Sequence, residues 1–517
     1  MSDAKDFQDI HITTTMPKSW EEERSFNDVL YDWLGRAPYL AVAVVVHLLA
    51  LFLLNLVPWN LFNEEPVKEL TAVIEAPPVE EFEEPPPPEP EEIEEVEIVD
   101  PVIVETIVDE TVVDDPVEED MPFDNPNNAN TEIGIGGGGG GGTRGGRRGG
   151  RAKVKAPVAQ AIADGLEWLK DHQNAAGYWD CDNFMVECKK PGQPLSDGPG
   201  EALHDVGVTG LALLAFLGYG DTLNDGQYKD VISNSVQWLV KQQQESGLIG
   251  EQVGKEYMYN HAIATIALCE AYYTSNKRPL LKGPAQKAVN LIIRAQNPYS
   301  GWRYDMIPNN DNDTSVTGWM VFALAAAKSG DLKVDPGGFR GAVSWFDEMT
   351  DKTTGRTEYT FQQGGRTSGA ARPPHLKDKY PGHLTEALTS IAVLGRIFAA
   401  TGLDEPLDLS KDGVLMRGAD LMRAMPPKWS EDGSTNDMYY WYYGTYAMFQ
   451  IGDRHWDDWQ KAMEREIIPH QRTDGCFKGS WDPNGPWGWS GGRVYSTSLM
   501  VLCMEVFFRY AKLTGTR

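Results

Sequence analysis

From Val158 to Gly515 the chain alternates two kinds of apolar-periodic segment. One kind is apolar almost all the way round: Thr209-Gly-Leu-Ala-Leu-Leu, Thr265-Ile-Ala-Leu, Thr317-Gly-Trp-Met-Val-Phe, Thr389-Ser-Ile-Ala-Val-Leu, Thr445-Tyr-Ala-Met-Phe and Thr497-Ser-Leu-Met-Val-Leu. Their threonines recur every 52–56 residues, with one gap of 72 across a Gly-, Arg- and Pro-rich insertion between Asp351 and Gly382. The other kind, such as Gln227–Gln244 and Trp456–Glu466, keeps its apolar residues on one helical face. A helix apolar on every side belongs inside a core, and a one-faced helix lies between core and solvent. Six of each predict an all-α (α/α)6 toroid of six helical hairpins over residues 157–517.

A second repeat sits at the ends of the one-faced helices. Gln173-Asn-Ala-Ala-Gly177-Tyr-Trp179 fits Gln-x3-Gly-x-Trp; Gln243…Gly247-x-Ile249 and Gln471…Gly475-x-Phe477 read as variants, and Gln296…Gly301-Trp302 as shifted by one. These residues read as structural, an amide tying off a helix end with a ring packed beneath it.

The N-terminal pattern is different. Residues 38–57, PYLAVAVVVHLLALFLLNLV, form an apolar run of the length that crosses a bilayer as a helix. Lys18, Arg24 and Arg36 precede it, and Lys68 alone follows for a long way. This bias predicts a single-pass protein of a bacterial inner membrane, N-terminus in the cytoplasm and C-terminal domain in the periplasm. Residues 1–37 form the cytoplasmic tail. There Ser19 and Glu22 make a capping box ahead of Phe26, Leu30 and Trp33, a short amphipathic helix. Residues 58–156 read as a disordered linker, Pro/Glu-rich and then Gly/Arg-rich. His47, an ionisable group mid-span, is a candidate coupling residue.

Charge sharpens this division. The formal net charge is −30, yet the window 63–132 holds 25 acidic side chains against the single base Lys68. The acidity therefore belongs to the linker, and the balance excludes a general nucleic-acid binder. Of the five cysteines, Cys181 and Cys188 share a loop and are positioned to pair in an oxidising compartment. Cys269 and Cys503 fall on apolar segments.

Two resemblances follow from these residues. The span with one His, preceded by Arg36 and Pro38 and followed by a Glu/Pro-rich stretch, resembles a TonB-type energy transducer. It has Ala43 where that family usually has Ser. The resemblance implies contact between His47 and an ExbB/ExbD-like proton-channel complex. The Gln/Trp repeat, together with Gly479-Ser-Trp-Asp and Gly491-Gly-Arg-Val-Tyr-Ser-Thr-Ser, resembles the squalene/terpene cyclase and prenyltransferase β-subunit superfamily over 157–517.

The inner helices of a toroid start at one end, so their first turns converge. Four residues before each threonine stand Asp205, His261, Asp313, Thr385, Trp441 and Arg493, with His204, Asp311, Glu386, Tyr442 and Tyr495 beside them. The cyclase resemblance places Asp313, in Asp311-Asn312-Asp313-Thr314, at the position of the alkene-protonating acid, although Thr314 replaces the last Asp. Trp319, Tyr440, Trp441, Tyr442, Trp487 and Trp489 would then face a cation. The prenyltransferase resemblance makes Asp205 and His261 weak candidates for a divalent metal, with Gly207 in place of the Cys ligand. Glycan hydrolysis or lysis, which many such toroids perform with a pair of carboxylates, would draw on Asp205, Asp313 and Glu386 by fold analogy alone. The sequence thus favours a membrane-anchored binding, scaffolding or energy-transducing toroid that holds a hydrophobic ligand or a periplasmic protein. A terpene cyclase using Asp313 and Asp311 is the first alternative, and a glycan-active hydrolase or lyase the second.

Overall fold

The computed structural model describes residues 47–49, 154–190, 192–362, 365–367, 376–405, 407 and 412–509. The chain divides into two compact units, 1–111 and 112–517. In the first, the described residues His47, Leu48 and Leu49 are helical and exposed. Apart from 154–156, the remainder of the expected tail, span and linker lies outside the described residues. Among the described residues no helix is long and apolar enough to cross a membrane. The inner-membrane placement and the transmembrane helix expected over 38–57 thus find no support among the described residues, of which only 47–49 fall in that span.

The second unit is an (α/α)6 toroid. Six outer helices, α1 (Ala156–Asp171), α3 (Lys229–Lys241), α5 (Pro279–Ala295), α7 (Pro336–Met349), α9 (Gly413–Ala424) and α11 (Asp453–Ile467), alternate along the chain with six inner ones. The inner helices are α2 (Asp205–Gly218), α4 (Tyr257–Thr274), α6 (Thr314–Ser329), α8 (Ala387–Gly402), α10 (Met438–Ile451) and α12 (Gly488–Arg509). Each inner helix packs on the next, and α12 packs back on α2, closing the ring. In α6 every residue from Thr314 to Ala327 is buried, whereas α11 buries one stripe that includes Trp456, Trp459 and Met463. The two patterns seen in the sequence are these two rings.

The Gln/Trp repeat holds the outer ring together. Gln173 Nε2 donates to the carbonyls of Gly177 (3.1 Å) and of Val231 in α3 (3.0 Å). Gln243 reaches Pro284 of α5, Gln296 reaches Gly338 of α7, and Gln471 reaches Ala161 of α1, so these amides latch one outer helix to the next across the chain's own seam. The indoles of Trp179, Trp302 and Trp481 donate to the carbonyls of Leu169, Ile292 and Ile467, each near the end of the preceding outer helix. A helix end otherwise leaves such carbonyls without partners. The repeated threonines complete the joint: Thr209, Thr317 and Thr497 Oγ1 accept from the backbone N–H groups of Trp179, Trp302 and Trp481. Gly177, with φ at +100°, has no room for a Cβ, which would sit 2.5 Å from the Asn234 carbonyl.

Two details differ from the sequence reading. Gln471 bonds the Gly479 carbonyl and Trp481 is its indole, so Gly475 and Phe477 are not the repeat residues. They belong to an inserted turn carrying Cys476. Gln296 bonds Ser300, so the six-residue step to Trp302 is kept and a serine takes the glycine's place. The disulfide also differs: Cys188 pairs with Cys476, with Cα atoms 6.1 Å apart, and Cys181 is free and buried. Proximity in sequence pointed to Cys181, but ring closure brings the first and last hairpin loops together.

The insertion in the fourth repeat contributes a short antiparallel pair, β1 (Thr360–Gln362) and β2 (Gly365–Thr367). It folds over the start of α6. Thr314 N donates to the Tyr359 carbonyl (3.0 Å) and Thr360 Oγ1 to the Asn312 carbonyl (2.7 Å).

Candidate functional site

The starts of the inner helices enclose a cavity of about 610 Å³. Its apolar wall comes from Leu211, Ile263, Leu388, Trp319, Tyr439 and Trp487, with the half-exposed Trp489 ring at the rim. Two polar groups face into it. One is Glu201, His204, Asn260 and Ser490; the other is Tyr304, Tyr359 and Ser315. Glu256 and Lys377 complete the charged lining among the described residues.

The first polar group is built by two loops tied together. Glu201 N donates to the Ser490 carbonyl (2.8 Å), and Arg493 N to that of Gly198 (2.8 Å). The buried Arg493 guanidinium then clamps Asp197 (2.7 Å) and Asp482 (2.6 Å). Helix α12 breaks at Gly492, where φ is +65°, so Ser490 stands on a separate turn ahead of the helix proper. His204 Nε2 lies 2.7 Å from Ser490 Oγ, and His204 Nδ1 lies 3.2 Å from Asn260 Oδ1. Glu201 Oε2 accepts from the same Ser490 hydroxyl (3.0 Å). Asn260 fits because residue 207 is glycine; a Cβ there would lie 2.3 Å from Asn260 Oδ1. Burial pulls the His204 pKa below its usual value, against the Asn260 hydrogen bond and the nearby Glu201 and Glu256 charges. Its ring is therefore a neutral acceptor near pH 7.

The second group is a tyrosine relay over a hidden acid. Asp313 caps α6, with Oδ1 accepting from Val316 N (2.7 Å). Its Oδ2 accepts from the Tyr359 hydroxyl (3.1 Å), which is itself bonded to the Tyr304 hydroxyl. Burial raises the Asp313 pKa to about 7, against the Val316 N–H and the Arg303 charge. Burial likewise pushes Tyr304 up to about 12. Asp313 itself is fully buried and does not line the cavity.

The other sequence candidates fall into three sets. His204 and Tyr495 line the cavity, and Tyr495 packs over Gly491. Asp205 stands behind the wall and accepts from Cys181 N (2.8 Å). Its carboxylate joins those of Asp180 and Asp182, all within 4.8 Å, and burial raises its pKa to about 7. The rest are structural. Asp311 is half exposed and pairs with Arg303. Glu386 pairs with Arg356 and accepts from Thr389 Oγ1 (2.7 Å) at the start of α8. Trp441 and Tyr442 are buried, against Trp429 and Trp319. Arg493 holds the site's loops and stays out of the cavity.

The metal candidates separate. His261 is fully buried; Nδ1 accepts from Ile249 N (3.1 Å) and Nε2 faces the Ala288 carbonyl (3.3 Å). Both of its nitrogens are engaged away from the Asp180 and Asp182 carboxylates that Asp205 joins. The space that a thiol side chain in place of Gly207 would need is filled by Asn260. Among the site residues the sequence reading passed over are Glu201, Ser490, Tyr304 and Tyr359. The signal was present for Ser490, in Gly488-Trp489-Ser490-Gly491-Gly492, a Gly-x-Ser-x-Gly pattern.

No family model and no curated protein matches the chain. Solved structures do. An α-1,6-mannanase of Salegentibacter, crystallised as an inactive variant with α-1,6-mannotriose, is 12% identical with a TM-score of 0.42, covering 68% of this chain and 99% of its own. An α-amylase from Clostridium perfringens is 12% identical (TM-score 0.43; 67% and 97% covered). The cellobiose 2-epimerase of Bacillus thermoamylovorans is 11% identical (TM-score 0.46; 68% and 98% covered). At these identities the likeness concerns the fold and carries no substrate across.

The expected resemblance to the squalene cyclase and prenyltransferase superfamily finds no support in the comparisons: no family model matches, and the solved structures above are named for other activities. The site gives the physical reason: the acid sits behind two phenols, and the thiolate position is a glycine whose side-chain space an asparagine fills. The TonB-like anchor likewise finds no support, its residues lying outside the described ones apart from 47–49.

Proposed function

We propose that the protein is a carbohydrate-active enzyme whose sugar occupies the cavity at the toroid mouth. The observation that carries this reading is the cavity's lining, which combines flat aromatic rings with a few acid–base groups. A pyranose presents apolar C–H faces and a polar edge, and such a wall matches both. Trp487, Trp489 and Tyr439 would stack on the ring. His204, neutral and hydrogen-bonded on both nitrogens, would move protons at the polar edge, with Glu201 beside it.

The carboxylates that the sequence offered for glycan chemistry, Asp205, Asp313 and Glu386, do not line the cavity; Glu201 and Glu256, which it did not offer, do. The test is turnover of a panel of neutral and acidic oligosaccharides by the full chain, followed by chromatography. Glu201→Gln is expected to lower kcat with little change in KM. Turnover that survives Glu201→Gln and His204→Gln together would sink the assignment.

A further inference from the structure

We propose that Ser490, His204 and Asn260 form a nucleophilic triad that hydrolyses a carboxylic ester, an acyl group carried on a sugar hydroxyl. The alcohol half rests on the carbohydrate reading above; the acyl chemistry rests on the triad alone.

The geometry fixes each role. Asn260 Nδ2 donates to the Leu203 carbonyl (2.7 Å), which turns Oδ1 toward His204. An amide oxygen only accepts, so the His204 proton sits on Nδ1 and the lone pair on Nε2. That lone pair faces the Ser490 hydroxyl at 2.7 Å, whose one hydrogen it shares with the second acceptor, Glu201 Oε2, at 3.0 Å. A serine is activated by an adjacent base that a third group orients, and the three residues meet that description. Glu201 Oε2, 3.7 Å from His204 Nε2, faces the imidazolium that would form. Ser490 is presented on the turn before the Gly492 break, between glycines, with its carbonyl pinned by Glu201 N. All four side chains line the same cavity. Sealing the loops together needs none of this alignment; the backbone bonds and Arg493 already do it.

The steps balance. Ser490 Oγ attacks the ester carbonyl carbon as its proton passes to His204 Nε2. The tetrahedral adduct expels the sugar alkoxide, which takes that proton and leaves as the alcohol. Water then attacks the acyl–Ser490 ester while His204 accepts a proton. Collapse releases the carboxylic acid and returns the proton to Ser490. One ester and one water give one acid and one alcohol. Among the described residues, Lys377 is the cationic side chain of the cavity lining.

The test treats the full chain with a fluorophosphonate, which phosphonylates activated serines, and with p-nitrophenyl acetate. The expected result is one adduct, mapped by peptide mass to Ser490 and absent in Ser490→Ala. His204→Gln should slow labelling and ester turnover roughly 10²–10⁴-fold, at an unchanged melting temperature. Labelling of the native chain should also lose rate in acid as His204 protonates. An unlabelled Ser490 would overturn the proposal, as would equal labelling rates in folded His204→Gln. Oligosaccharide binding by the native chain is measured alongside. Labelling without sugar binding would uphold the triad and remove the carbohydrate reading; sugar binding without labelling would do the reverse.

Discussion

The two ends of the inner ring are built from the same helices and have opposite characters. At the mouth, the helix starts leave a cavity of about 610 Å³, with His204, Ser490, Tyr304 and Tyr359 among the residues that face into it. At the other end, Arg509 closes the ring. Its guanidinium donates to Glu270 (2.8 Å) and to the Leu214 carbonyl, and Glu505 lies 3.8 Å away. All three charged side chains are wholly buried. Gly218 makes this possible, because a Cβ there would sit 2.1 Å from Glu505 Oε2. One end uses its polar groups to hold helices together. The other leaves them facing open space, which is what a reaction needs.

Each end can be disabled separately. Arg509→Met should give the largest stability loss, about 3–5 kcal/mol, because two carboxylates stay buried without their cation. Urea denaturation measures it, and a loss below about 1 kcal/mol would mean that this end is not the clamp described. Cys188→Ser removes the link to Cys476 and should cost about 2–4 kcal/mol. Reductant should lower the melting temperature of the native chain and leave that of the variant unchanged.

Asp313 tests the border between the two characters. Its folded pKa of about 7 lies above its ordinary value of 3.8, so between these the folded chain holds the extra proton. Its contribution to stability is therefore full below about pH 4 and declines as pH rises toward 7. His172 and His261 act in the opposite sense. Burial lowers both to about 4 from 6.5, so their contribution is full above pH 6.5 and is lost on acidification toward 4. Asp313→Asn should keep the cap and remove only the first dependence. Melting curves at pH 4, 5, 6 and 7 should show the variant gaining on the native chain as pH rises; parallel curves would refute the raised pKa. The smallest effect on stability, within about 0.5 kcal/mol, is expected for Trp489→Ala at the rim.

Much of the fold was legible because periodicity reports burial directly. The all-round apolar segments and their threonines locate the inner ring, and the glutamines and tryptophans mark the joints. The site was less legible. Counting back from each threonine found His204 and Asp313, yet it gave no sign of which one meets the cavity. That choice is made by Tyr359, 46 residues beyond Asp313, on an insertion that folds back over it. Ser490 and His204 are 286 residues apart, and only ring closure brings them together. Cys188 and Cys476 escaped for the same reason. A repeat encodes neighbours within and between adjacent units, as Gln471 shows even across the seam, while contacts made by loops outside the repeat leave no periodic trace.

The functional reading depends above all on a sugar resting against the aromatic wall of the mouth cavity. Titration of the full chain with neutral oligosaccharides, read by tryptophan fluorescence and calorimetry beside Trp489→Ala, probes that contact directly. Saturable binding by the native chain is expected, with at least a tenfold weaker affinity in the variant at the same melting temperature. Absence of binding across the panel, or equal affinity in Trp489→Ala, would contradict it.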